Sequence, residues 1–289
     1  MRLDSLFNLN NHVAIVTGGS SGIGKAIAHA QGSHGAKLVL MARRLAELDV
    51  ACAEMQGDGI EATGIAVDLA DRDALKLACA EARLPYGAPD ILVNCAGINI
   101  RHPFPELTDD DWDATITVNL AAPLFVTRGR APGMKAQGWG RIINIASLQS
   151  ARAFNNSGAY GASKGGVMQL TRATAEYWSA YGVTCNAIAP GFFNTPLTAV
   201  VFDDAAKAQK NADATMIGRN GLIFTASRFF WHRTPAPLSP GKRSLSTAGF
   251  RPSEGRFRLY RTLQLFCTNA TQSGHRRVVL LKSTFCIFR

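Results

Sequence analysis

Short apolar runs rich in β-branched residues recur along the first two thirds of the chain, at Val13–Val16, Lys37–Met41, Ala62–Val67, Ile91–Asn94, Arg141–Ala146 and Val183–Ala189. Runs this short and this continuously apolar read as strands covered on both faces, since a half-exposed strand alternates apolar and polar positions. Between them lie stretches of helical length, at Ile23–Ser33, Leu45–Gln56, Arg72–Arg83, Asp109–Lys135 and Tyr160–Ala180. Strand and helix therefore alternate as βαβ units. Right-handed crossovers then predict an α/β architecture, a doubly wound parallel sheet with helices on both faces, in a single domain.

The alternation stops after Gly221. Phe229, Phe230 and Trp231 are followed by Pro235, Pro237 and Pro240, then by Arg, Ser and Thr without a period. Charge changes at the same point. The chain carries 31 Lys and Arg against 21 Asp and Glu, a net charge of +10. Residues 222–289 hold twelve of the basic residues and a single acid, Glu254, leaving 19 basic and 20 acidic residues in 1–221. The basic balance thus describes a segment, not a domain. Residues 1–221 read as the folded domain, and 222–289 as either a divergent basic tail or the product of an altered reading frame. The tail's cations are scattered, with no amphipathic helix or nucleic-acid module, so neither nucleic acid nor a membrane surface is the expected partner.

The composition, 47% apolar and 18% charged, excludes disordered and collagen-like chains. No apolar run approaches the roughly 18 residues of a membrane span. The segment Met1–Asn11 carries Asp4 and several Asn and shows no secretory signal, so a cytoplasmic location is expected. The six Cys include no CxxC and no His at ligand spacing, which points to reduced thiols and no metal.

Three local patterns carry chemistry. The first strand runs into Thr17-Gly18-Gly19-Ser20-Ser21-Gly22-Ile23-Gly24 and then a helix. Glycines at 18, 22 and 24 permit a tight turn and a close backbone approach, and the helix start near Ile23 offers N–H groups to a pyrophosphate. The second strand ends in Met41-Ala42-Arg43-Arg44, where a dinucleotide site holding a ribose 2′-hydroxyl places an acid. Two Arg at this point favour the 2′-phosphate of NADP over NAD. Asp68, after the third strand, suits either the adenine edge or the capping of the next helix. The strongest pattern is Ser147 with Tyr160 and Lys164. Tyr and Lys at i and i+4 share a helix face. A neighbouring ammonium is expected to lower the Tyr pKa from about 10, fitting it to exchange a proton with an alcohol oxygen that Ser147 holds.

Together with Asn94-Cys95-Ala96-Gly97, Asn119 in Val118-Asn119-Leu120, and Pro190-Gly191 with Thr195, these motifs resemble the short-chain dehydrogenase/reductase family over about Leu9 to Gly221. The resemblance implies a Rossmann-like fold with a seven-stranded sheet, a homotetramer or dimer, and a catalytic tetrad of Asn119, Ser147, Tyr160 and Lys164. It implies that Tyr160 is the general acid/base, Ser147 orients the carbonyl, Lys164 also holds the nicotinamide ribose, and Asn119 anchors a relay water. Asn94 would brace the central strands beside the cofactor, with Ala96 and Gly97 on its ribose side. Ile188, Pro190, Gly191 and Thr195 would face the nicotinamide.

The stretches Gly97-Ile98-Asn99-Ile100-Arg101-His102-Pro103-Phe104 and Ser147-Leu148-Gln149-Ser150 are similar to those of gluconate 5-dehydrogenases and related sugar-acid dehydrogenases. Arg101 would pair a substrate carboxylate, with Gln149 or Arg152 reaching hydroxyls; equally, Arg101 and His102 would simply edge a surface loop. The family's usual ending, a further helix and a seventh strand near Val-Asp-Gly-Gly, is not recognisable. Val278–Leu281 is a short apolar run that would fit the vacant sheet edge. The expected function is an NADP-dependent oxidoreductase interconverting a secondary alcohol and a ketone on a sugar acid or its keto form. The alternative is a dinucleotide-binding protein without catalysis, its altered C-terminus having disabled it.

Overall fold

The computed structural model describes residues 8–215 and 218–221, so the readings made of 222–289, Val278–Leu281 among them, lie outside the described residues. The chain order is β1 (Val13–Thr17), α1 (Gly22–Ser33), β2 (Lys37–Ala42), α2 (Leu45–Gly57), β3 (Ala62–Ala66), α3 (Arg72–Glu81), β4 (Ile91–Asn94), α4 (Asp109–Ile116), a π turn (Thr117–Ala121), α5 (Ala122–Gln137), β5 (Gly140–Ile145), α6 (Gly158–Trp178), β6 (Val183–Ile188), α7 (Ala199–Phe202) and α8 (Ala205–Asp213). The strands form one parallel sheet in the order β3-β2-β1-β4-β5-β6. Direction of winding reverses between β1 and β4, and in open α/β sheets the crevice at the carboxyl ends of such a pair receives ligands.

The continuous apolar runs are explained by covering on both faces. Every residue of β1 is buried. Val13 and Ile15 pack with Met41, Leu92 and Ile142 against Leu75 and Cys79 of α3 and Val126 and Met134 of α5. Ala14 and Val16 pack on the opposite face with Leu38, Leu40 and Val93 against Ile27 of α1 and Leu48 and Met55 of α2. Period-two geometry thus splits one apolar run between two cores.

Two departures from the sequence reading matter for the site. The stretch Asp109–Lys135, expected as one helix, starts on a capping box between Thr108 and Asp111 and is interrupted by the π turn around Asn119. Pro123 then lies in the first turn of α5, directly after the π turn. Among the described residues the sheet has six strands, not seven, and β6 pairs with β5 alone. Beyond β6 the backbone returns on itself: the Gly221 N–H donates to the Phe192 carbonyl at 2.9 Å. No helix among the described residues is long and apolar enough to cross a membrane, and no group of three His, Cys, Asp or Glu gathers there as for a metal.

Candidate active site

A cleft of about 370 Å³ opens at the carboxyl ends of β1, β4, β5 and β6. Its floor is made mainly of backbone. Thr17, the last residue of β1, is buried, and its Oγ1 accepts from the N–H groups of Cys95 (3.1 Å) and Ala96 (3.3 Å). That side chain ties the Gly-rich turn to the loop after β4. Gly18 has φ +68°, and a Cβ there would lie 2.9 Å from the backbone of Ala96, so both the conformation and the contact require glycine. A Cβ on Gly24 would drive into the Gly18 carbonyl, 2.8 Å from its carbon.

Ser21, Gly22, Ile23 and Gly24 line the cleft at the amino end of α1. That end has no side-chain cap and no acid in its first turn. The starts of α2, α5 and α6 likewise lack a side-chain cap but, unlike that of α1, do not follow a glycine turn on the cleft, whereas α3, α4 and α8 begin on the Asp71, Thr108 and Asp204 caps. An uncapped helix start beside a glycine turn that leaves room for backbone approach is what an anionic pyrophosphate requires. The residues present therefore fit a dinucleotide.

The two Arg after β2 separate. Arg44 lines the cleft, with its Nε 2.6 Å from Glu47 Oε1. Arg43 is exposed and stands outside the cleft lining. Asp68 accepts from the Ala70 N–H at 2.9 Å in the turn before α3, a local role of the capping kind, and lies away from the cleft wall. Thr17, Ser20, Asn94 and Ile188 are likewise not among the residues that line the cleft. Asn94 braces the sheet: its Nδ2 donates to Asn144 Oδ1 at 2.8 Å, and Asn144 donates in turn to Thr171 of α6 at 2.9 Å. Gly97, Ala96, Pro190, Gly191 and Thr195 all face the cleft. Thr195 also packs on the glycine turn, since a Cβ at Gly22 would sit 3.3 Å from it.

Ser147, Tyr160 and Lys164 converge on the same cleft. Ser147 lies two residues past the end of β5 and accepts from the Gln149 N–H at 3.1 Å. Tyr160 and Lys164 project from the first turns of α6, both buried. Lys164 Nζ donates to the Ile145 carbonyl at 2.7 Å and lies 5.7 Å from the Tyr160 ring centroid. Burial lowers the Lys164 pKa to about 8. Burial raises Tyr160 above its ordinary value, outweighing the hydrogen bond from Ser147 and the charge of Arg101, which both pull it down. The expected lowering by Lys164 is therefore corrected: desolvation decides the direction, and the cation that opposes it is Arg101. Cys95, also on the wall, is pushed up to about 12 by burial and stays a neutral thiol.

Asn119 is fully buried one layer behind the cleft. Its carboxamide clamps Ile98, accepting from the N–H (2.8 Å) and donating to the carbonyl (2.9 Å), and donates to Ser163 Oγ at 3.1 Å. Ser163 Oγ donates to the Tyr160 carbonyl at 2.7 Å. Asn119 thus links the loop after β4 to the helix turn that carries Tyr160. Ser150 makes a second tie, accepting from the Ser147 N–H at 3.2 Å and donating to the Lys164 carbonyl at 2.7 Å.

Arg101 and Gln149 line the same cleft; Arg152 is exposed and does not. Asn99, Phe154, Phe192 and Leu197 join that wall, and the sequence reading singled out none of them. For Asn99 the available signal was its place two residues before Arg101. For the others it was only proximity to Arg152 and to Pro190-Gly191.

The sequence profile of the short chain dehydrogenase family matches residues 12–206. Over 218 residues the chain is 36% identical to gluconate 5-dehydrogenase of Gluconobacter oxydans (strain 621H), covering 75% of this chain and 85% of the relative. Over 249 residues it is 38% identical to D-beta-hydroxybutyrate dehydrogenase of Cupriavidus necator, covering 86% and 95%. The crystal structure of a gluconate 5-dehydrogenase from Burkholderia cenocepacia J2315 in complex with NADP and tartrate matches with a TM-score of 0.74 at 34% identity, covering 78% of this chain and 91% of that one.

Proposed function

The chain belongs to the short-chain dehydrogenase/reductase family, NAD(P)-dependent enzymes acting on CH–OH groups, and from that premise we propose that it interconverts a secondary alcohol and a ketone on a sugar acid, with NADP as the preferred cofactor and Tyr160 as general acid/base. The supporting observation is one cleft lined at once by the uncapped start of α1, by Ser147, Tyr160 and Lys164, and by Arg101. The similar Burkholderia enzyme was crystallised in complex with tartrate, a hydroxy acid. The Gluconobacter relative is a gluconate 5-dehydrogenase.

NADP(H), when bound, supplies or accepts the hydride. The glycine turn and the start of α1 would hold its pyrophosphate, and Arg44 the 2′-phosphate. Tyr160, its pKa raised by burial, keeps its proton at neutral pH and can donate it to a carbonyl oxygen. Ser147 holds that oxygen by hydrogen bonding and so favours the polarised carbonyl. Lys164 is pinned to Ile145, which keeps a cation beside the phenol without letting it wander. Asn119 and Ser150 act as positioning residues through Tyr160 and Lys164. Arg101 presents a guanidinium fork to the substrate carboxylate.

The test is a titration of the full chain with NADPH, and with NADH in parallel, followed by addition of 5-ketogluconate. Tight NADPH binding followed by loss of NADPH absorbance is the expected result. Saturable binding with no turnover of 5-ketogluconate would overturn the sugar-acid reading, and no turnover on any ketone would favour a dinucleotide-binding protein without catalysis.

A further inference from the structure

Away from the cleft, the surface between α3 and α5 holds a guanidinium with no counter-charge. Arg130 of α5 precedes Ala131, which packs in the core with Ala78, Cys79 and Ala82 at the end of α3. Arg130 is half-buried, and its Nε is closed off from solvent without an acceptor among the described residues. Helix α5 contains no Asp or Glu, and no described carboxylate pairs with Arg130 or with Arg83, just past the end of α3. Burial lowers the Arg130 pKa, and the like charge of Arg83 adds to that. The Cys79 thiol beside them is pushed up by burial, stays neutral and supplies no counter-charge. Arg72 and Arg128 in the same groove also lack a carboxylate, but both are exposed and lie 4.9 and 5.2 Å from the centroid of the Phe125 ring, whose face compensates a cation. Arg130 has no such ring among the described residues. A guanidinium partly out of water and beside a second one is costly until an anion joins them. The route to it is open: the terminal nitrogens of Arg130 are not closed off as Nε is, and they too find no acceptor among the described residues.

We propose that Arg83 and Arg130 form an anion site between the end of α3 and α5, and that its ligand is a phosphate-class oxyanion, either inorganic phosphate or the phosphoryl group of a small metabolite. Charge favours phosphate over a carboxylate, because a dianion neutralises both guanidiniums and a carboxylate leaves one over. Shape favours it as well. A tetrahedral oxyanion offers separate oxygens to donors arriving from two elements, and guanidinium forks pair such oxygens closely. Neither Arg lines the cleft, so the site stands apart from the dinucleotide and is independent of the substrate the cleft takes.

The experiment follows thermal unfolding of the full chain in a phosphate-free buffer while sodium phosphate is added, with ionic strength held constant by chloride. Wild type, Arg130→Met and Arg83→Gln are compared. The wild-type midpoint is expected to rise saturably, by about 5 °C once phosphate is well above half-saturation. Arg130→Met loses that rise. Without phosphate it unfolds above wild type, because an apolar side chain of similar length removes the uncompensated charge. Arg83→Gln, at an exposed position that leaves the fold intact, weakens half-saturation by about tenfold. Glycerol 3-phosphate in place of phosphate separates the two sources: half-saturation at the same concentration assigns the site to a phosphorylated metabolite, and a weaker response to the free ion. An equal rise in wild type and both variants would overturn the inference, since it would then come from general exclusion of the salt or from phosphate held in the cleft. An Arg130→Met chain that unfolds below wild type without phosphate would also overturn it, because the guanidinium would then already have its partner within the chain.

Discussion

The two ends of the cleft are made from different material. The proposed dinucleotide end is backbone: a turn whose glycines approach Ala96, the bare start of α1, and Thr17 stitching them to the loop after β4. The proposed substrate end is side chains, drawn from the Arg101, Asn99, Gln149, Phe154, Phe192 and Leu197 of the same lining. Backbone can bind only what all such chains share, a pyrophosphate. Side chains can be exchanged without moving a strand, so specificity belongs at that end. Tyr160 stands where the two meet, and its removal is the most severe test of the division. Tyr160→Phe is expected to lower kcat by about 10²- to 10⁴-fold while leaving NADPH affinity unchanged. Single-turnover rates and an NADPH titration measure both, and a parallel loss of affinity would mean that the ends are not separable.

The backbone end breaks next. Gly24→Ala forces a methyl onto the Gly18 carbonyl, and the turn has no flexible side chain to move aside. Overpacking of this kind, expressed through ligand contact, is expected to weaken NADPH by roughly ten- to a hundredfold. Gly161→Ala makes the contrast. Its Cβ would meet Gln149 atoms at 3.7 and 3.8 Å, ordinary contact distances, and it replaces a glycine inside α6. A gain of about 0.5–1 kcal/mol in unfolding free energy is expected, with NADPH affinity retained. If the two substitutions weakened NADPH alike, glycine crowding would not be what defines the phosphate end.

The same division governs what could be read from the chain. Strand runs such as Ile91–Asn94, and the Gly-rich turn between a strand and a helix, were legible because backbone requirements restrict residue types directly. So was the convergence of Ser147, Tyr160 and Lys164, which a helical i, i+4 spacing and a strand end bring together. The π turn was not legible, since Thr117–Ala121 is an ordinary helical sequence and the break is imposed by what Asn119 must reach. Asn99 was missed because a single Asn in a loop has no pattern; only burial of its oxygen without a partner distinguishes it. Arg43 and Arg44 looked equivalent in sequence, and only the turn of the backbone into α2 puts Arg44 on the cleft. The direction of the Tyr160 shift was misjudged because the spacing gives the Lys neighbour, not the desolvation around both.

Lys164 allows the junction to be examined without substrate. Its pKa falls from 10.5 to about 8 through burial. Between those values the unfolded chain holds a proton that the folded chain has released, so raising the pH favours the folded state across that window. Measured against Lys164→Met, which cannot titrate, the cofactor-free wild type is expected to gain on the order of 1–3 kcal/mol as pH rises from about 8 to about 10.5. The sign is the informative part. A flat difference in denaturant unfolding would mean that Lys164 is solvated, and the cation at the junction would then be an ordinary surface charge.

The smallest expected effect lies where backbone gives way to side chain, at the end of β2. The Arg44–Glu47 pair has side chains 67% and 40% exposed, so its direct contribution to stability is small. Its consequence is directional instead. Glu47 engages Nε and leaves the terminal nitrogens of Arg44 free for a 2′-phosphate, while neutralising part of the charge that phosphate would feel. Arg44→Ala is expected to cut the preference for NADPH over NADH by about tenfold, and Arg43→Ala by less. Glu47→Gln releases the charge and is expected to raise that preference a few-fold at low salt, an advantage that shrinks as ionic strength rises because the groups are exposed. A larger loss from Arg43→Ala than from Arg44→Ala would transfer the 2′-phosphate to Arg43. It would also show that this part of the dinucleotide site, alone at its end of the cleft, is set by a mobile side chain.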